Sequence, residues 1–271
     1  MTQSTNLFRP ETAVAVDAAG RALELVRRRV GADAITSKGA RDVVTATDIA
    51  VEDAVRGIVG DALGFPVIGE ERGGEASGDG SPYWLVDPIC GTRNFASGIP
   101  LYCVNLALVE GGQITVAVTG DPSTGEIDVA ERGRGAWVLK DGSRQRLTTS
   151  DESRTIVIED GKSKGARREH AAQFTGVAIR ADRWDFRSLG TTLALPYLAA
   201  GRISAYAVFW VSAIHAGAGS LLVTEAGGTL SDIDGQPWTI HSDSVLASAT
   251  PDLHGELLGL ARAASSLGVR S

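Results

Sequence analysis

Three short segments combine acidic residues with turn-forming neighbours at a spacing that can do chemistry. They are Asp42-Val43-Val44-Thr45-Ala46-Thr47-Asp48, Gly69-Glu70-Glu71, and Asp87-Pro88-Ile89-Cys90-Gly91-Thr92-Arg93-Asn94-Phe95. Each borders an apolar run, which puts its acids at a strand end or a helix start. Carboxylates at the ends of adjacent strands converge on one edge of a sheet, and hard-oxygen sites for Mg²⁺ are built that way. Cys90-Gly91-Thr92 then opens a turn whose free N–H groups suit a phosphate. Taken singly, each cluster reads equally well as surface acids and helix caps.

The elements that must position these groups are legible from periodicity. Residues 10–30 read as a helix with an apolar face from Ala13 to Val26, three closing arginines and Gly31 as a stop. Residues 47–63 read as a second helix, capped by Thr47 or Asp48. PVIGEE (66–71) and YWLVDP (83–88) are short buried strands ending in acids, and residues 101–145 alternate between strand runs and Gly-rich turns, which predicts an antiparallel meander. Beyond residue 150, TIVIED, VAIRADR and ISAYAVFWV read as strands. GKSKGARREHAAQF, SLGTTLALPYLAAG and SAIHAGAGSLLVTEAGG read as helices between and after them. The expected division is an α+β region over 1–148 and an α/β region over 149–271.

Composition narrows the class. The chain has 271 residues, 43% hydrophobic and 22% charged, as soluble globular domains do, and this excludes disorder and fibrous repeats. A net charge of −7 argues against nucleic acid or anionic lipid as a partner. The two cysteines, Cys90 and Cys103, form no disulfide framework, and with no signal-like N-terminus the expected location is the cytoplasm. Residues 203–224 contain no Asp, Glu, Lys or Arg, yet their serines, glycines and His215 favour a buried strand and helix over a membrane span.

Together the segments resemble the inositol monophosphatase family of Mg²⁺-dependent phosphomonoesterases. The matching runs are DVVTATD (42–48), Gly69-Glu70-Glu71, DPICGTRNF (87–95), RSLGTT (187–192) and IHAGAGSLLVTEAGG (214–228). The resemblance spans nearly the whole chain. It implies a layered αβαβα fold, a homodimer and a small-molecule substrate. It also implies one metal site from Glu70, Asp87 and the Ile89 carbonyl, with Thr92 and Asp48 orienting the attacking water. Gly91, Thr92, Thr191 and Thr192 are expected at the substrate.

The departures from the family pattern carry the sharpest expectation. Cys90 stands where the family has the second Asp of DPIDGT, and His215 where it has the Asp of a Trp-Asp pair. Val208 stands where the family commonly has an acid that contacts the sugar ring. A thiol and an imidazole are poor Mg²⁺ ligands. The leading reading is therefore an enzyme acting on a small metabolite through a Cys90–His215 pair, with Asp87 as orienter and no cofactor required. A helix N-terminus near Cys90 is expected to favour its thiolate and fast alkylation. The alternatives are a phosphomonoester hydrolase with one Mg²⁺, and a non-catalytic ligand binder. Zn²⁺ on Cys90, His215 and Asp87 ranks below Mg²⁺. Cys103 and the five tryptophans read as packing residues, His170 as solvated, and His241 and His254 as outside any motif. Arg187 reads as an interface or pocket-edge residue.

Overall fold

The computed structural model describes residues 8–30, 36–37 and 43–268. The motif acid Asp42 and the helix stop Gly31 lie outside the described residues. A short antiparallel pair, β1 (Thr36–Ser37) with β2 (Val43–Val44), precedes the main elements.

Helices α1 (Pro10–Arg27) and α2 (Ala46–Leu63) form the first layer. Pro10 supplies a preset φ at the start of α1, and Ala15, Ala18, Ala19, Ala22 and Val26 give it a small-residue face that packs closely. The cap of α2 is Thr45, earlier than Thr47 or Asp48. Thr45 N donates to Asp48 Oδ2 at 2.9 Å and Asp48 N donates to Thr45 Oγ1 at 3.4 Å, a reciprocal capping box. Gly64, at φ +69°, ends the helix.

The second layer is a seven-stranded sheet that follows chain order: β3 (Val67–Gly69), β4 (Tyr83–Cys90), β5 (Cys103–Glu110), β6 (Gln113–Gly120), β7 (Ile127–Glu131), β8 (Gly135–Lys140) and β9 (Ser143–Arg146). Only β3 and β4 run parallel, and the expected meander follows. Alternation assigns the faces. Trp84, Val86, Leu106 and Val118 pack on α1 and α2, whereas Leu85, Ala107 and Ala117 face the next helical layer. A short helix, α3 (Thr92–Ala96), follows β4.

That helical layer is α5 (Ala194–Ala199) with α6 (Ala213–Glu225), and it is covered on its far side by a five-stranded sheet. This sheet contains β10 (Thr155–Glu159), β11 (Asp185–Arg187), β12 (Ala205–Val208), β13 (Thr229–Ser231) and β14 (Val245–Ser248), in the order β11-β10-β12-β14-β13. The outer layer is α4 (Gly165–Arg180) and α7 (Pro251–Gly268), packed on Ile156, Ile158, Ala207 and Leu246. The order of layers is αβαβα, as the resemblance implies.

Two sequence expectations fail locally. VAIRADR is not a strand, because Ala171, Phe174 and Ala178 recur at helical spacing and carry α4 through to Arg180, with the strand starting only at Asp185. The helix expected over SLGTTLALPYLAAG is confined to Ala194–Ala199, because residues 190–193 form a turn. Residues 203–224 split into β12 and α6, and no described helix is long and apolar enough to cross a membrane.

Helix α6 is clamped between both sheets, and its glycines allow this. A Cβ at Gly217 would sit 2.7 Å from Ile114 Cδ1, and one at Gly219 would sit 2.5 Å from Leu195 Cβ. Helix propensity alone makes Gly219→Ala stabilising by about 1 kcal/mol. Overpacking against α5 opposes this by roughly 1–3 kcal/mol, so net destabilisation is the expected result in urea titration.

Candidate active site

The site begins with a β-bulge. Asp87 pairs with Asn105 and Cys90 with Cys103, so three steps on β4 oppose two on β5. Pro88, which has no N–H to give a ladder, falls in the irregular stretch. The extra residue brings Asp87 and Cys90, three apart, onto the face that looks toward α6. Asn105 lies opposite Thr119 in the next pairing, and Thr119 Oγ1 donates to Asn105 Oδ1 at 2.9 Å. Asn105 Nδ2 then reaches Thr192 Oγ1 at 3.2 Å and the His215 carbonyl at 3.3 Å. Thr192 Oγ1 donates to the same carbonyl at 3.0 Å. This polar row seats the first turn of α6, and with it the His215 ring.

His215 Nδ1 donates to Asp87 Oδ2 at 2.7 Å. Asp87 is fully buried. Burial pushes its carboxyl up to about 7, Cys90 adds to the rise, and His215 counters it. Burial pulls the His215 imidazole down, but Asp87 and Cys90 outweigh it and hold the ring above its usual value. Donor atoms of Asp87, Cys90 and His215 lie within 4.8 Å of one another, so the structure brings the expected trio together.

The thiolate expected at Cys90 is not supported. Its thiol is buried, lies 2.9 Å from Thr192 Oγ1 and accepts from Thr192 N–H at 3.2 Å. Its hydrogen bonds run to Thr192 and not to the first turn of α3. The neighbouring Cys103 and burial raise the thiol well above its ordinary range, and His215 opposes them only in part.

The hard-oxygen groups meet beside this trio. Glu70 leaves β3 in a turn held by a residue the sequence reading passed over. Glu52, fully buried on α2, accepts from Glu71 N at 2.7 Å and Arg72 N at 3.0 Å, and Arg56 completes it at 2.9 Å. Asp48, Glu52 and Arg56 recur at four-residue spacing, a signal that was available. A Cβ at Gly69 would fall 2.0 Å from Glu52 Oε1, which explains the glycine. Glu70 Oε2 is 4.0 Å from His215 Nδ1. Asp87 Oδ1 is buried without a hydrogen-bond partner. Thr92 Oγ1 lies 3.1 Å from the Ile89 carbonyl and 3.2 Å from Asp48 Oδ1. Burial raises the Asp48 carboxyl, against the bonds from Thr45 and Thr92. Gly91 occupies φ +105°, with Leu101 O only 2.9 Å from where a Cβ would sit.

A cavity of about 340 Å³ opens from these groups. Glu70, Ile89, Cys90, Gly91, Thr92, Thr191, Thr192, Val208 and His215 line it, together with Arg93, Glu159, Lys162 and Trp210. Thr191 Oγ1 donates to the Cys90 carbonyl at 2.8 Å. Glu159, also missed, accepts from the Leu189 and Gly190 N–H groups and fixes the loop before Thr191. Cys103 is buried as expected. Trp210 is not a core residue, with 45% of its surface exposed. His170 is not solvated, since Nε2 meets the Ala261 carbonyl at 2.8 Å and its ring packs edge-on against Phe209. Arg187 is exposed and bonds the Phe186 carbonyl, away from the cavity lining.

The family model described as "Inositol monophosphatase family" matches residues 8–266. The chain belongs to the inositol monophosphatase family. A relative named inositol-1-monophosphatase, from Mesorhizobium japonicum, is 34% identical over 234 residues, covering 84% of this chain and 86% of its own. A histidinol-phosphatase from Mycobacterium tuberculosis is 36% identical over 252 residues, covering 90% and 95%. Among solved structures, an extragenic suppressor protein suhB from Bartonella henselae superposes with a TM-score of 0.85 at 26% identity, covering 94% of this chain and 99% of that one. Membership corrects the expectation that no cofactor is required, because inositol monophosphatase family enzymes depend on Mg²⁺.

The residues present fit one such ion. Glu70, the orphaned Asp87 Oδ1 and the Ile89 carbonyl, which keeps a second lone pair, are the hard donors Mg²⁺ takes. They do not offer a second oxygen site, since Asp87 Oδ2 is committed to His215 and the remaining donors are a thiol and an imidazole.

The raised thiol generates a direct prediction. In native protein at pH 7.5, iodoacetamide should label both cysteines slowly compared with the urea-unfolded chain, and Cys90 labelling should accelerate as pH rises. Peptide mass spectrometry reads this, and rapid Cys90 modification at neutral pH would restore the thiolate.

Proposed function

We propose that this chain is a Mg²⁺-dependent hydrolase of small-molecule phosphomonoesters, working with one oxygen-ligated metal. The observation that carries the reading is the placement of the unpartnered Asp87 Oδ1 beside Glu70 and the Ile89 carbonyl, next to the Thr92–Asp48 pair. The names of the relatives, inositol-1-monophosphatase and histidinol-phosphatase, support phosphate esters of small alcohols as the substrate class.

In this reading Glu70, Asp87 and the Ile89 carbonyl hold the ion, which when bound polarises the phosphoryl group. Thr92 Oγ1 gives its proton to Asp48 and accepts one from the attacking water. The Thr92–Asp48 pair thereby draws a proton off that water as its oxygen bonds to phosphorus. The backbone of Gly91 and Thr92 faces the phosphate. With Nδ1 held by Asp87, His215 Nε2 is the atom that hands a proton to the departing alkoxide as the P–O bond breaks. Asn105 and Thr192 keep that ring in place through the carbonyl of its residue. The same proposal includes the homodimer, which rests on the family resemblance, the two-region division near residue 148, which rests on the change of element pattern, and the cytoplasmic location, which rests on cysteine usage.

A second reading keeps Cys90 as nucleophile or acid/base with His215, and the 2.7 Å Asp87–His215 pair favours it. The raised thiol opposes it. Phosphate release separates the two. Under the hydrolase reading, wild type turns over with Mg²⁺ and stops with chelator. Glu70→Gln, Asp87→Asn and Thr92→Ala should each lose roughly 10²-fold in kcat, while Cys90→Ala keeps most of the rate. Loss of activity in Cys90→Ala with Glu70→Gln intact would reverse the choice. Turnover of no ester at all would leave the ligand-binding alternative.

The pH profile follows from Asp48. It works as an acceptor only when ionised, and burial raises it above 3.8. Activity should therefore rise with pH along an acidic limb above the usual aspartate range, and Thr92→Ala should flatten that limb.

A further inference from the structure

The catalytic groups occupy one end of the cavity. The other end, lined by valines and by the Asp160–Lys162 turn, carries an anomaly. Trp210 lines the cavity with 45% of its surface exposed, one of the few large apolar side chains so placed among the described residues. Beside it Val208 and Val211 are nearly fully buried and offer a ligand no hydrogen bond. These two side chains have nothing to offer the hydroxyls of a polyol, and the polar groups nearby belong to the Asp160–Lys162 turn.

The position of Trp210 is fixed by its neighbours on both sides. Phe209 N donates to the Glu159 carbonyl at 3.1 Å, and Val211 N donates to the Asp243 carbonyl at 2.8 Å. The turn that follows Glu159 closes directly on it. Gly161 sits at φ +60°, and a Cβ there would fall 1.8 Å from the Trp210 carbonyl. Only glycine permits that approach. Elsewhere a half-buried indole is covered: Arg144 lies over the Trp137 ring at 3.7 Å. Among the described residues no ring or cation stacks on Trp210. A half-exposed, unstacked indole in a cavity wall, on backbone held from both sides, is a π-surface with room for a planar partner.

We propose that Trp210 is the specificity platform of the substrate cavity, and that the alcohol portion of the substrate carries a planar aromatic or heteroaromatic ring that stacks on it. This deepens, and rests on, the phosphomonoester reading above. Trp210 takes no part in the hydrolysis itself. It selects the ester whose ring covers it, and a saturated polyol of equal size gains nothing from its face.

The test compares 2-phenylethyl phosphate with glycerol 2-phosphate in the Mg²⁺-loaded enzyme. Wild type should favour the aromatic ester by about tenfold or more in kcat/KM, a difference one stacking contact with its apolar burial supplies. Trp210→Ala should bring the ratio near one by lowering kcat/KM for the aromatic ester far more than for glycerol 2-phosphate, and Trp210→Phe should keep most of the preference. A general loss of folding would lower both esters together and leave their ratio alone. An equal ratio in wild type, or an undiminished preference in Trp210→Ala, overturns the inference and leaves the hydrolase reading standing. If neither ester is hydrolysed, the hydrolase reading fails on its own, and tryptophan emission decides the platform. Saturable quenching by 2-phenylethyl phosphate that disappears in Trp210→Phe supports it, and the absence of quenching in wild type overturns it.

Discussion

One extra residue in one strand governs the arrangement of the site. Were β4 regular, Asp87 and Cys90 would point to opposite faces of the sheet, one toward α1 and α2 and the other toward α6. The bulge between them cancels that alternation. It turns the strand end into a ledge on which a carboxylate and a thiol face one helix. The Asn105–Thr119 row continues that ledge across two further strands and meets α6 at the His215 carbonyl. Glu52 performs the matching task for Glu70, gripping the turn after β3 from the other side of the sheet. The site is assembled by two buried polar anchors, neither of which is itself a candidate for the chemistry.

Much of this is legible in the amino-acid sequence. Strand runs with alternating apolar residues and Gly-rich turns placed β5 to β9, and the order of motifs identified the fold. Glu70, Asp87, Ile89, Thr92 and Asp48 converge because each ends or begins an element whose register is set by a clear apolar pattern. What escaped had physical causes. Helix α4 was cut short because Val177, Ala178 and Ile179 look like a strand in a short window, although Ala171 and Phe174 set a helical period. Asn105 was a lone polar residue in an apolar strand, and its partners lie on elements 14 and 87 positions away. Trp210 carried no sequence signal at all, since tryptophan in an apolar stretch reads as core.

The state of Cys90 shows why residue type does not fix chemistry. A cysteine two residues before a helix invites a thiolate, but the acidity of a thiol depends on what solvates the anion. Here the surroundings are Thr192, the neighbouring Cys103 and apolar packing, and they favour the neutral form. The same burial works on Asp87, where it meets a compensating imidazole. The hard and soft halves of the site therefore differ in kind. Glu70, Ile89 and one oxygen of Asp87 are suited to a divalent ion, while the other oxygen belongs to an internal Asp–His pair. Asp87 is the hinge between the two halves and the residue whose replacement disturbs both.

Helix α6 has a consequence for how such a protein can diverge. Its seat is secured by Gly217 against Ile114 of β6 and by Gly219 against Leu195 of the neighbouring α5, with no space to spare. The scaffold's intolerance to change is thereby concentrated in residues that do not line the cavity. His215 rides on the first turn of the same helix, and Val208 and Trp210 lie on the strand and bend just before it. Their side chains reach into the cavity without bearing on the glycine contacts, so the polar and apolar lining can be exchanged while the frame keeps its shape. The contacts that fix the frame and the side chains that line the cavity occupy adjacent positions of one segment, yet they are physically almost independent.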